Sequence, residues 1–470
     1  VRAVLNPAWV ASVNSPAPGG APAAITGILG TGAAGYFADQ YGQPRLLLSD
    51  TVWNMIPNAG NAGYGTWQQE IDFYCDARGA QGFTAMETCV FADSSNGTPY
   101  SQGATWDGVN PWVSGGDPST GFNNTFWTRV DYLIAACARN GMAALLNVAY
   151  GDAEASPNAF YNLNTTQVQA FGAGLAARYA STPNIIWQIG GDYSASFDSL
   201  ASAMLTGIRS GGDTHVISIE NFSETTSRYY LGTGHAAQAW GASNAQFNCV
   251  YTYIQTYFGV RYAYAEASPL PVIWMDGYYY KSSGGANAYY APYDRAMRQY
   301  VWWALSSGAR GSNTASENVY QWVATQPAEV TSEYFFTHTA GHIYTAVSSL
   351  PGWWKLLPDV GNTLITAGGG TPVASDSGAH YGEAVTDSYV TASYAPDGSL
   401  ALIYLSHATT ITVNTTLITA GYSVKWIDPD SGTVYAGTPG TTYNSGATDG
   451  SKPILNSVGD PDWVLALKGP

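Results

Sequence analysis

Eight short apolar runs, separated by amphipathic stretches across about 300 residues, restrict this chain to very few architectures. They are PRLLLSD (44–50), GFTAMETCVF (82–91), GMAALLNVAYG (141–151), NIIWQIGGD (184–192), HVISIEN (215–221), FNCVYTY (247–253), LPVIWMD (270–276) and WALSSGARGSN (303–313). Each has the length of a strand. The intervening TWQQEIDFYCDARG (66–79), FWTRVDYLIAACARNG (126–141), TTQVQAFGAGLAARYAS (165–181) and PYDRAMRQYVWW (292–303) carry the periodicity of helices, and several end at Gly or Asn. Strand followed by helix, eight times over, predicts a (β/α)8 TIM barrel over residues 35–365. Residues 1–34, rich in Ala, Pro and Gly, read as an extended N-terminal segment.

From about Thr371 the pattern changes to short alternating strands with a turn signal every ten residues or so. Pro396-Asp397-Gly398 and Asp428 to Gly432 each mark a hairpin, which predicts a small antiparallel β-sandwich over residues 379–470. TAGGGTPVASDSG (366–378) is the expected linker. DPDSG has some likeness to a calcium loop, but the other ligand positions are missing and a hairpin turn accounts for it.

Composition narrows the class of partner. Charged residues make up only 11% of the chain, against roughly 25% in a typical soluble protein, while aromatics reach 14%. A surface built on Asn, Ser, Thr, Gly and Tyr suits an extracellular or cell-surface protein that handles sugars, whose apolar faces stack on aromatic rings. The net charge of −16 leaves no basic patch for phosphates, so nucleic acid is not an expected partner and a polyanionic glycan is a poor one. Cys75, Cys89, Cys137 and Cys249 lack metal-ligand spacing and read as free buried thiols, with a single bridge left open if the protein is secreted. His338 and His342 in HTAGH lack the glutamate of a metalloprotease helix. No metal or cofactor is expected. No apolar stretch reaches the eighteen or so residues of a membrane span. Val1 at the N-terminus is compatible with a cleaved signal or a trimmed chain. The oligomeric state is not legible, and a surface or filament assembly is compatible with the composition.

Two of the eight runs, NIIWQIGGD and LPVIWMDG, stop abruptly at a carboxylate, Asp192 and Asp276. A buried parallel strand does this where its C-terminal end opens into a site. Two carboxylates on one barrel face are the minimum for splitting a glycosidic bond, one as general acid and one as nucleophile or base. Other polar residues cluster at the same strand ends. Glu220 and Asn221 close the fifth run and suit the gripping of sugar hydroxyls, Asn147 closes the third together with Tyr150 and Asp152, and Glu87 falls within or just beyond the second. Tyr278 opens a run of three tyrosines after Asp276, two of which are expected to face the cleft or solvent.

GYFADQYGQPRLLLSDTVW (35–53), NIIWQIGGD, WALSSGARGSN and the C-terminal WIDPDSGTVY and DWVLAL resemble the bacterial apiosidase-like barrel hydrolases, in which a β-sandwich labelled collagen-binding follows the barrel. The resemblance runs from about Gly35 to Leu467. It implies a glycosidase barrel of retaining type, with the acid/base after strand four and the nucleophile after strand seven. Asp192 matches the acid/base, for which Trp187 or Tyr193 would supply an apolar wall. Asp276 stands where the family usually carries the Glu of a Gly-Glu pair, here Met275-Asp276. That departure leaves three routes open: a repositioned backbone, an inverting site, or lost activity. Asp50 matches an Asp that the family keeps in its pocket, with Trp53 beside it as a stacking wall. Glu266, a rival carboxylate, lies before the strand on an expected helix surface. An inactive carbohydrate-binding barrel and a surface assembly protein on the same fold are the alternative readings.

Overall fold

The computed structural model describes residues 25, 29–32, 35–91, 103–114, 116–149, 163–193, 197–227, 239–266, 270–281, 293–324, 326–372 and 386–470, with the side chains of Thr31, Asp192, Tyr193 and Ala239 outside the description. The eight runs become parallel strands: β1 Leu47–Thr51, β2 Ala85–Cys89, β3 Ala143–Asn147, β4 Ile185–Tyr193, β5 Ile217–Asn221, β6 Asn248–Tyr251, β7 Val272–Met275 and β8 Gly311–Ser316. They pair in the order β5-β4-β3-β2-β1-β8-β7-β6. The eighth begins later than its run. Residues 303–306 belong to the preceding helix, because Trp302 and Trp303 pack as helical core and the strand starts only after the turn at Gly308.

Between β5 and β6 the barrel is closed by single bonds rather than a ladder. Gln246 donates its backbone N–H to Ile217 O at 3.0 Å. The Ser227 hydroxyl donates to Ile219 O at 2.6 Å and accepts from the Cys249 N–H at 2.8 Å, so one side chain serves both strands.

A helix follows each strand: α1 Trp67–Ala80, α2 Asn124–Arg139, α3 Thr165–Tyr179, α4 Asp198–Ser210, α5 Ala239–Asn244, α6 Thr256–Ala265, α7 Tyr293–Ser306 and α8 Ala340–Ser348. Local sequence starts them. Thr66 with Gln69, and Asn164 with Gln167, form capping boxes at α1 and α3 that satisfy amide groups a first turn would leave bare.

Alternation along the strands sorts the core into two. Leu47, Ala85, Leu145, Ile186, Val216, Phe247 and Ile273 point inward. Leu48, Met86, Leu146, Trp187, Ile219, Val250 and Trp274 point outward beneath the helices. Leu29 and Phe37 join the inner set, and the Phe37 ring meets Phe247 edge-on at 5.5 Å. Leu29 precedes strand Gly30–Gly32 and Phe37 lies in its antiparallel partner Tyr36–Ala38, so the N-terminal chain plugs the bottom of the barrel and leaves the other end for chemistry.

The C-terminal unit is two antiparallel sheets around a shared core that includes Ile403, Ile411, Trp426 and Leu465. Its first strands, Leu357–Pro358 and Ile365–Ala367, arise well before the change of composition at Thr371. Both expected hairpins form, around Gly398 at φ 71° and Gly432 at φ 67°.

Its larger sheet is buried on both sides. From strand Leu400–Leu405, Ala401, Ile403 and Leu405 enter the sandwich core while Leu400, Leu402 and Tyr404 join the barrel's core. Simple in-out alternation, the expectation for these strands, therefore fails. The run LALIYL is apolar throughout because neither face meets water.

Arg298 of α7 locks this interface. It is 1% exposed and reaches Asp430 at 3.3 Å, Asp460 at 2.6 Å and Asp462 at 3.0 Å, all from the C-terminal unit. Trp302, one turn along, donates to Pro429 O at 2.9 Å. Arg298→Ala would strand two buried carboxylates, a loss of about 3–5 kcal/mol. Calorimetry of that variant should show a lower Tm and a transition split between the two units. An unchanged single transition would mean that the apolar face alone holds them together.

Candidate active site

At the C-terminal end of β4 the backbone breaks from regular pairing. Gly190 and Gly191 adopt φ 98° and 96°, which side chains strongly oppose, and the register with β5 shifts between Gly190 and Tyr193. Asp192 follows directly within the strand. Asn147, at the end of β3, steadies this break: its amide donates to the Gly190 carbonyl and its oxygen accepts from the Ala149 N–H at 3.2 Å. Both ends of the side chain are thus committed to backbone. Asn147 supports the turn before Asp192 instead of touching a ligand. Tyr150 and Asp152 lie outside the described residues.

At the end of β7 the strain falls on the carboxylate itself. Asp276 has φ 36°, uncommon for any residue other than glycine and most tolerated by Asn and Asp. A side chain on Gly277 would strike the carbonyl oxygen of Thr252 at 2.1 Å, so only glycine admits this close approach.

The three tyrosines that follow are all buried, at 1%, 9% and 3% exposure, contrary to the expected cleft or solvent placement. Each is drawn to a different partner. Tyr278 stacks on Tyr300 of α7, with ring centres 5.4 Å apart, and Tyr280 donates to Asp294 at 2.5 Å. Tyr279 accepts from the Trp53 indole at 2.8 Å, and burial together with the nearby Asp276 charge holds its phenol well above the ordinary range.

Inside the barrel a polar network takes the place of apolar packing. Glu87 accepts from Thr51 at 2.9 Å and from Asn313, while Gln188 donates to Glu220. Glu87 and Glu220 have no accessible surface, so neither is placed to grip a sugar hydroxyl directly. Asp276, 8% exposed, is the one of these three carboxylates that reaches solvent. Burial pushes the Glu87 carboxyl up to about 8, the nearby Asp276 charge adds to this, and the bonds from Thr51, Asn313 and Gln188 pull against it. At neutral pH Glu87 therefore holds its proton.

Other expected pocket residues face elsewhere. Asp50 points outward from β1 and is fully buried against α1, bonded to Arg78 at 2.6 Å and to Tyr74 at 2.8 Å. Leu47 points inward, so an even number of steps along the strand brings Thr51, not Asp50, to the interior. Trp53 is 2% exposed and anchors Tyr279, which leaves no open face for stacking. Asn221 donates to Thr226 O at 2.8 Å and secures the hairpin after β5. Tyr278 belongs to the layer under α7. Trp187 is no wall for Asp192: its indole donates to Asp213 at 3.1 Å, between barrel and helices. Glu266, at the end of α6, accepts from Thr226 and Asn248.

Thr51, Gln188, Asn313 and Tyr279 are the participants that the sequence reading passed over. Counting inward positions from Leu47, Ala85 and Ile186 would have found Thr51 and Gln188. Nothing local marks Tyr279 out from its neighbours.

This fold and geometry can be set beside known proteins. The family model for the apiosidase-like catalytic domain matches residues 33–366. The chain belongs to the apiosidase-like family. It is thus a glycosidase, and residues 380–468 match a second model, "Putative collagen-binding domain of a collagenase". Among solved structures it is similar to a protein described as a glycoside hydrolase, at 16% identity and TM-score 0.73, with 94% of this chain and 97% of that one covered. A glycoside hydrolase family 5 protein from Bacteroides vulgatus matches at 17% identity and TM-score 0.72, covering 94% of each. At such identities the likeness is one of fold. No curated protein matches the chain.

The state of Glu87 has a measurable consequence. Its native pKa of about 8 lies above its ordinary value near 4.5, so the native protein binds one more proton than the unfolded chain between those limits. This contribution to stability is fully present below about pH 4.5 and is lost as pH rises through about 8. Glu87→Gln removes the dependence. The Tm of the variant relative to the parent should rise steadily from about pH 4.5 to about pH 8, and a difference independent of pH would show that Glu87 is ionised in the fold.

Proposed function

We propose that this glycosidase cleaves a neutral glycan with retention of anomeric configuration, Asp192 serving as acid/base and Asp276 as nucleophile. The observation that carries the reading is the setting of Asp276: a carboxylate at the end of β7 that keeps 8% exposure, on left-handed backbone, with Glu87 as its neighbour. Aspartate is one methylene shorter than the glutamate usual at this position. A changed backbone angle is one way to bring a shorter side chain within the ~5–5.5 Å carboxyl separation of a retaining site. Beside it, Glu87 stays neutral, so Asp276 can carry the negative charge a nucleophile needs.

Asp192 follows two glycines at a strand end, which allow a substrate to approach the backbone closely. Its carboxyl would protonate the leaving oxygen and then accept a proton from the incoming water. Asn147 holds the turn that precedes it. The net charge of −16 favours a neutral glycan over a polyanionic one. An extracellular or cell-surface location agrees with the C-terminal match and the sparse charge.

Asp192→Ala should lower turnover of an alkyl glycoside by about 10²- to 10⁴-fold and that of an aryl glycoside with a good leaving group much less, since the latter needs no proton. Equal losses on both would mean that Asp192 positions substrate. The anomer formed first, followed by NMR, should match the substrate. An inverted product would make Asp276 a base, and no turnover across a broad glycan panel would favour the carbohydrate-binding barrel.

A further inference from the structure

Two of the four cysteines meet where α1 packs against α2. Cys75 Sγ lies 3.9 Å from Cys137 Sγ, and both residues are fully buried. The seam around them is pinned on either side. Asp72 accepts from the Tyr132 hydroxyl at 2.6 Å and from Arg139 at 2.5 Å, and Asp76 accepts from the Asn140 amide at 2.9 Å. The two backbones come unusually close one turn on, where a Cβ built on Gly79 would lie 2.8 Å from the Asn140 Cβ. Met86 of β2 forms the floor, its sulfur 3.8 Å from Cys137 Sγ. Cys89 and Cys249 belong to β2 and β6, strands on opposite sides of the barrel.

We propose that Cys75 and Cys137 are a disulfide site, joining α1 to α2 when the chain folds under oxidising conditions, while Cys89 and Cys249 remain thiols. A disulfide brings its sulfurs to ~2.05 Å and needs backbones already close together. The approach at Gly79 and the flanking hydrogen bonds supply that closeness, so rotation of two side chains completes the bridge. A small-molecule disulfide such as oxidised glutathione is the oxidant. One cysteine thiolate attacks it and releases a first small thiol, and the other cysteine attacks the mixed disulfide and releases a second. One S–S bond breaks and one forms. Two electrons pass from the cysteines to the oxidant, and their two protons leave on the small thiols.

The finished fold closes the pair to this attack. The contact with Cys137 and burial push the Cys75 thiol well above its ordinary range, and neither thiol has accessible surface. The bridge therefore forms before α1 and α2 dock, and docking then seals it from reductants. Joining residues 62 positions apart removes freedom from the unfolded chain, which stabilises the fold.

The test uses the full chain, unfolded, reduced and refolded either with a mixture of reduced and oxidised glutathione or with dithiothreitol. Each folded sample is then denatured and alkylated with iodoacetamide. By intact mass the glutathione sample should carry two alkylated cysteines and the dithiothreitol sample all four. After trypsin, the Cys75 peptide should be found joined to the Cys137 peptide. The Tm of the bridged sample should exceed that of the reduced one by roughly 3–8 °C, and Cys137→Ala should abolish the difference. Export to a bacterial periplasm, against expression in a reducing cytoplasm, serves where refolding is poor. Neither readout depends on which carboxylate attacks the glycan. Four alkylated cysteines in the folded glutathione sample, or a bridge that takes in Cys89 or Cys249, overturn the proposal.

Discussion

Everything at this site follows from which side of a strand each residue occupies. Eight parallel strands leave one set of side chains inside the barrel and the alternate set under the helices, and a single step exchanges the two environments. Asp50 and Thr51 are chain neighbours with opposite fates: one is sealed against Arg78 beneath α1, the other donates to Glu87 inside the barrel. The break at Gly190 and Gly191 and the left-handed turn at Asp276 are departures from that alternation, and both lie at the ends of strands that carry the proposed catalytic carboxylates. Regular strands build the wall.

Electrostatics inside the barrel rests on unequal treatment of its carboxyls. Glu87 and Glu220 are closed off from water, whereas Asp276 keeps some exposure. Two nearby carboxylates cannot both ionise cheaply in a dry interior, so the more deeply buried one keeps its proton. Glu87 is thereby a neutral neighbour of Asp276 at working pH.

The same economy appears at the domain interface. A chain with few charges places Arg45, Arg78, Arg129, Arg298, Arg310 and Lys452 out of solvent, where they act as hydrogen-bonding hubs. Arg298 gathers aspartates from three points of the C-terminal unit, and the two-sided burial of its large sheet does the rest. The sandwich is consequently part of the barrel's packing along α7, and the glycine-rich stretch after Ile365 does not separate two independent bodies.

The sequence by itself determined the barrel, the antiparallel C-terminal unit, the hairpins at Gly398 and Gly432, and the strand ends that bear Asp192 and Asp276, because apolar period, helix caps and turn residues are properties of neighbours along the chain. LALIYL and WVLALK also declared their two-sided burial locally, though the alternating reading passed over it. Tertiary structure alone decided that Tyr279 rather than Tyr278 meets Trp53, that Tyr278 stacks on Tyr300, that Asn147 is spent on the Gly190 carbonyl, and that Asp50 belongs to Arg78. Each of those outcomes depends on contact between residues of different strands and helices. Trp53 and Tyr279 lie 226 positions apart in the chain, and only closure of the barrel brings the indole to the phenol.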